Sequence, residues 1–215
     1  MKVALVGSTG FVGQAILKEL TDRNHEVTAI ARDVTKLKDL PNVIAIQADV
    51  NDVNALSSAL KGSDAVVNAF NPGWTNPNLY EDFTKGSRSI LEAVKESGVK
   101  RYVVIGGAGS LYIGDKQLIE DENFPKAIKP GALAATEYLE VIKREDELDW
   151  TFFSPSIEMS PETSGKRTGK YRTGLENPVF NDEGRSVISV EDLAVAIVDE
   201  LENNKFVQKR FTAGY

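Results

Sequence analysis

Three glycines, Gly7, Gly10 and Gly13, are each separated by two residues in Gly7-Ser8-Thr9-Gly10-Phe11-Val12-Gly13. Glycines so spaced can cradle a phosphate. Without a Cβ, the backbone turns sharply and comes close to a pyrophosphate. The N–H groups of a helix's first turn then face the anion and carry roughly half a positive charge between them. The spacing is G-x-x-G-x-x-G rather than G-x-G-x-x-G, so position gives it weight. It directly follows the apolar run Val3-Ala4-Leu5-Val6 and leads into Val12, Ile16 and Leu20 at helical spacing.

Other chemistry-bearing residues follow later apolar runs. Arg32 stands nineteen residues past Gly13. Its charge and planar donor fork suit the 2′-phosphate of NADP. Asp33 supports the competing NAD reading, in which a carboxylate accepts from a ribose 2′-hydroxyl. Asp49 can accept from an adenine amino group while Val50 packs on the ring, or it can serve as a helix N-terminal charge. Asn68, Ala69 and Phe70 follow the fourth apolar run, and the small Ala69 lets a cofactor lie close. Gly106-Gly107-Ala108-Gly109-Ser110 follows the fifth. Each glycine there costs about 0.5–1 kcal/mol relative to alanine, a cost that close approach of a nicotinamide explains. Ser154 and Pro155 follow the sixth and can meet the carboxamide end.

Composition narrows the classes. The chain has 215 residues, no cysteine, one histidine and a net charge of −7. Disulfides, thiol nucleophiles and Cys-ligated metals are excluded. His25 lies in a turn, where a solvated imidazole is expected rather than a metal ligand, and no metal is expected. The acidic balance argues against a nucleic-acid surface. No apolar run is long enough to span a bilayer, no leader precedes Met1-Lys2-Val3, and a cytoplasmic location is expected.

The elements that must position these residues alternate. Strands are predicted at Val3–Val6, Glu26–Ile30, Val43–Ile46, Ala65–Phe70, Tyr102–Ile105 and Trp150–Phe153. Helices are predicted after Gly10, from Asp52 to Leu60, from Leu79 to Gly98, and from Ala132 to Lys143. Ser189 opens a further helix, with Asp192 three residues on as in a capping box. Short strands are expected at Tyr171-Arg172, Val179-Phe180, Ser186–Ile188 and Arg210–Thr212. The fold class is therefore α/β: a Rossmann-type doubly wound parallel sheet in one domain spanning 1–215, with an irregular substrate-side extension at 156–186.

GSTGFVG, ARD, QADV, VVNAF, RYVVIGGAGSL, WTFFSPS, GKRTGKYRTG and SVEDLAVAIVDELE together resemble the atypical short-chain dehydrogenase/reductase superfamily. The similarity is to its NADH-flavin reductase-like and NmrA-like branch, and it spans nearly the whole chain. The resemblance implies that Gly7 to Gly13 hold the pyrophosphate, Arg32 the adenosine phosphate end, and Asp49 and Val50 the adenine. It places Ala69 and Phe70 along the cofactor. The superfamily's catalytic set is Ser, Tyr and Lys, with Tyr-x-x-x-Lys on the helix after the fifth strand. Here that spacing occurs at Tyr112 and Lys116, too close behind the fifth strand to be on that helix. Tyr138 and Lys143 are five apart and do not supply it. No catalytic residue is therefore assigned.

Direct hydride transfer to a flavin or quinone-like acceptor, a substrate rather than a bound cofactor, survives this loss. Trp74, Ser110, Tyr112 and Lys129 are the candidates to line the acceptor pocket. The alternatives are a non-catalytic NADP-binding redox sensor and, with less support, a nucleotide-sugar epimerase-like enzyme.

Overall fold

Val3 to Val6 are all apolar because both faces of their strand are covered. The structure, a computed structural model, describes residues 1–37 and 40–215. Strand β1 (Lys2–Val6) lies near the centre of an eight-stranded sheet. Around it stand β2 (Glu26–Ala31), β3 (Val43–Gln47), β4 (Ala65–Asn68), β5 (Arg101–Ile105), β8 (Asp149–Phe153), β10 (Lys209–Gly214) and β9 (Arg172–Gly174). The order is β3-β2-β1-β4-β5-β8-β10-β9. All neighbours pair in parallel except β9, which runs antiparallel to β10. Strands β6 (Tyr112–Ile113) and β7 (Lys116–Gln117) form a separate hairpin.

Two apolar layers close the sheet. Helices α1 (Phe11–Asp22) and α5 (Val190–Asn203) bury Leu17, Leu20, Leu193, Ile197 and Leu201 on one face. Helices α2 (Val53–Leu60), α3 (Leu79–Ser97) and α4 (Lys129–Ile142) bury Leu56, Ile90, Val94, Leu139 and Ile142 on the other. The apolar residues of each helix recur at three- and four-residue intervals, which places them on one side. The predicted doubly wound α/β sheet is thus the observed one.

Local chemistry sets the boundaries. Asp52 accepts from the Ala55 N–H and caps α2. Gly98 closes α3 in the left-handed region at φ 81°. Helix α4 begins three residues before the predicted Ala132, because Pro130 sits in its first turn, where a missing N–H costs nothing. Strand β4 ends at Asn68, not Phe70, because the Phe70 N–H turns back to Asn68 Oδ1. Val179-Phe180 is not a strand. Ser186–Ile188 contributes only one bridge, from Val187 to Glu158, and the strand expected at Tyr171-Arg172 lies at Arg172–Gly174.

His25 corrects the expectation of a solvated turn residue. It is buried, with Nε2 2.9 Å from Glu202 and Nδ1 3.3 Å from the terminal amine. The capping box at Ser189 forms by half. The serine hydroxyl accepts from the Asp192 N–H, but the Asp192 carboxylate faces elsewhere. It accepts from the Thr168 and Gly169 N–H groups and from the hydroxyls of Thr168 and Tyr215. Burial alone would push Asp192 up, but these donors outweigh it and hold the carboxyl below its usual range. Arg167, one residue earlier, forks onto Glu19 of α1. The stretch 165–174 is therefore a strap tied across α1 and α5.

Candidate functional site

The strand order reverses between β1 and β4, which places a crevice at their carboxyl ends. The fingerprint sits there. Gly7 has φ +81°, and a Cβ on it would lie 2.6 Å from Ala69 O. A Cβ on Gly13 would lie 2.1 Å from Gly7 O. The fold itself demands these two glycines. Gly10 differs: its φ is an ordinary −73°, and a Cβ would meet only Gly7 O, at 3.3 Å. It lies exposed at the start of α1, where no side chain caps the first turn. The protein side gives little reason for glycine at 10, whereas a phosphate resting on that turn does. This arrangement fits a dinucleotide pyrophosphate.

The neighbouring residues divide by where they point. Ser8 is fully buried, and its hydroxyl donates back to Ile30 O, so its side chain braces the turn. Thr9 O accepts from Gln14 Nε2; Phe11 is exposed beside Val12 on the first turn of α1. Arg32 is exposed just beyond β2, whose Ile30 carbonyl accepts the Gly7 N–H at 3.0 Å. It makes no ion pair among the described residues. Asp33 accepts from the N–H and hydroxyl of Thr35.

Asp49 lies at the exit of β3. The N–H and amide of Asn51, with help from the Arg32 and Lys85 charges, hold its carboxyl below the usual range. Val50 is buried beside it, and its carbonyl accepts from the Ser89 hydroxyl of α3 at 2.6 Å. Phe70 packs in the same corner: a Cβ on Gly86 would come within 2.5 Å of its ring and 3.3 Å of Val50 Cγ2. The exits of β3 and β4 thus meet under one turn of α3.

Asn68 is placed differently from the expectation that it faces a cofactor. It is buried, and Nδ2 donates to Tyr102 Oη at 2.9 Å. The Tyr102 hydroxyl lies 3.0 Å from that of Tyr138. Burial pushes Tyr102 up to about 12 and Tyr138 well above its usual range, so both phenols stay protonated. This chain of buried polar groups shapes the β4 exit from below.

The turn after β5 was expected to owe its glycines to a nicotinamide. Gly106 has another reason, since a Cβ there would lie 2.0 Å from the Phe152 ring. Gly107 and Gly109 are less crowded and face Ala135 and Ala132 of α4. Ser110 and Ser154 are both fully buried, with hydroxyls 3.0 Å apart, so neither lines an open pocket. Pro155 is buried beside them. Trp74 is 57% exposed and leans on the start of α4 at Gly131, two residues past the exposed Lys129. Tyr112 lies in the β6–β7 hairpin, where its hydroxyl accepts from Gln117. Lys116 is in the same hairpin, so Tyr112 and Lys116 do not form a helical pair.

A cleft of about 510 Å³ lies apart from the fingerprint, between α5 and residues 169–173. Its carboxylates are already engaged: Asp199 by Arg23 and Tyr171, and Glu200 by Arg101.

The pattern of the NAD(P)H-binding family matches residues 7–204. The chain belongs to this NAD(P)H-binding family. This fits the atypical short-chain dehydrogenase/reductase superfamily expected from the motifs. The chain is 37% identical to the uncharacterized protein YwnB of Bacillus subtilis, over 99% of this chain and 97% of that one. A candidate epimerase from Bacteroides thetaiotaomicron is 41% identical and superposes with a TM-score of 0.91, covering 100% and 96% of the two chains. A candidate NADH-flavin reductase from Streptococcus pneumoniae is 33% identical, with a TM-score of 0.87 over 100% and 99%. The matched stretch begins at Gly7 and takes in the whole Gly7–Gly13 turn. No helix among the described residues is long and apolar enough to cross a membrane.

Sequence reasoning missed the Tyr102–Tyr138 hydroxyl contact beneath Asn68 and the Arg210–Glu176 pair beside Ser110. Arg210 had a signal: it is a charged residue inside a strand otherwise covered on both faces.

Proposed function

We propose that the chain is an NADPH-dependent oxidoreductase that passes hydride directly to a flavin or quinone-like acceptor. One observation carries this reading. Helix α4 meets the 107–109 turn through Ala132, Ala135 and the Thr136 hydroxyl, which donates to Ala132 O, so the helix offers no phenol or ammonium there. Reduction of a ketone needs a placed proton donor, and oxidation of an alcohol-level sugar carbon needs a placed proton acceptor. Flavin reduction needs one hydride and one proton, and water can bring the proton. NADPH supplies the hydride when bound. The chain's residues supply the rest: the first turn of α1 holds the pyrophosphate, Arg32 faces the 2′-phosphate, and the 107–109 turn and Trp74 orient the two rings. The likeness to a candidate NADH-flavin reductase supports the same class.

The test offers NADPH and NADH in turn with FMN, FAD, riboflavin and simple quinones, and follows cofactor absorbance. Acceptor-dependent oxidation of NADPH is expected. Tight NADPH binding with no acceptor turning over sinks the enzyme reading and favours a redox sensor. Arg32→Ala should weaken NADPH binding by about 1–3 kcal/mol and leave NADH nearly unchanged. Equal losses would show that Arg32 does not read the 2′-phosphate.

A further inference from the structure

Arg210 is the second residue of β10 and pairs in register with Phe152 of β8, so its side chain points to the same face as Phe152. That face is the α4 side, where the Phe152 ring underlies Gly106. A guanidinium is an expensive occupant for such a position. It is 97% hidden from solvent, with its Nε finding no partner among the described residues. An apolar residue of similar volume would serve folding at least as well.

What the guanidinium does there is join four segments. Nη1 donates to Ser110 O at 2.8 Å and to Ser110 Oγ at 3.2 Å. Ser110 Oγ lies 3.1 Å from Gly107 O and 3.0 Å from Ser154 Oγ. Nη2 donates to the half-exposed carboxylate of Glu176. The guanidinium carbon lies 5.8 Å from the centre of the Tyr112 ring. The Tyr112 N–H in turn donates to Glu176 O, and Asn177 Nδ2 donates to Tyr112 O. The exits of β5 and β8, the hairpin and the extension therefore share one cation. Only a planar fork with several donors can hold them together; a lysine offers a point charge instead.

We propose that Arg210 is a positioning residue that, backed by Glu176, sets the 107–110 turn against the nicotinamide end of the cofactor. This rests on the reading of that turn as the nicotinamide site. Arg210 itself touches no reacting atom and acts through Ser110.

The test separates the two ends of the dinucleotide. NADPH binding is followed by the enhancement of nicotinamide fluorescence. Binding of 2′,5′-ADP, which lacks the nicotinamide, is followed by calorimetry. In Arg210→Met and Arg210→Lys, NADPH should bind about tenfold or more weakly and lose its enhancement, while 2′,5′-ADP affinity shifts less than about twofold. Glu176→Gln, at a half-exposed position, should give an intermediate loss of about threefold with the same selectivity. Equal losses for both ligands overturn the proposal, because they show that Arg210 only holds the fold. Unchanged enhancement overturns it as well. If the Arg210 variants do not fold, Glu176→Gln decides by the same two criteria. A wild-type protein that binds 2′,5′-ADP but never enhances nicotinamide fluorescence overturns the reading of the turn itself, and the proposal with it.

Discussion

Two of the three fingerprint glycines are demanded by the fold and the third is not. Gly13 has Gly7 O where its Cβ would stand, and Gly7 has both a left-handed φ and the Ala69 carbonyl against it. Gly13→Ala should therefore cost roughly 3 kcal/mol of stability, because the obstructing atom is backbone. Gly10→Ala should behave oppositely. Its φ suits alanine, so the melting temperature should move by no more than about 2–4 °C. NADPH affinity should fall by at least about tenfold, since the new methyl group occupies the phosphate's approach. Melting curves and binding titrations on the two variants check this. A Gly10→Ala protein that binds NADPH normally would show that the phosphate does not rest on this turn.

The 165–174 strap works through two carboxylates. Arg167 holds Glu19 against the opposing effect of burial, and the Thr168, Tyr215 and Gly169 donors do the same for Asp192. Both folded-state values are depressed, so each group contributes stability that is full above its unfolded value, near 4, and is lost as pH falls through the lowered folded value. The strap should thus loosen below about pH 4. Asp192→Asn should flatten the loss of stability between about pH 5 and 3. Asp192→Ala should cost about 1–3 kcal/mol at neutral pH, because the buried carboxylate that ties Thr168, Gly169 and Tyr215 together is lost. Urea melts across this range test the slope, and proteolysis at 165–174 tests the location. An unchanged acid slope in Asp192→Asn would assign the acid response to other groups. The motif GKRTGKYRTG is here a fastening between helices α1 and α5.

At the scale of the molecule, the sheet gathers contributions from distant parts of the chain. The crevice takes its floor from β1 and β4, one end from β2 and β3, and the other from β5, β8 and β10. A ligand that spans these strands should stabilise the fold as a unit. At about a hundredfold excess over its Kd, NADPH should add about 2.7 kcal/mol and raise the melting temperature by about 5–10 °C. NADH at the same concentration should raise it less. Equal shifts would argue against 2′-phosphate recognition. The local positive charge this requires, Arg32 with Lys85 beside Asp49, exists despite a net charge of −7.

What the sequence determined by itself was the periodic part. Apolar runs declared themselves as parallel strands, and the strand–glycine–helix order at Gly7 to Gly13 declared the tight turn between β1 and α1. These signals are local, because a strand, a turn and a helix start each depend on neighbouring residues. Only the tertiary structure decided which polar groups were available. Asn68, Ser110 and Ser154 looked like site residues from their places at strand ends, but each is buried and bound to partners at least thirty-four positions away. Gly106 looked like a ligand's glycine and proved to make room for Phe152. Arg210 and Glu176, outside every motif, reach Ser110 and Tyr112 only because β10 pairs with β8 and the extension folds back over both. Sequence spacing cannot report such pairings, since they depend on which strands become neighbours and which face each side chain takes.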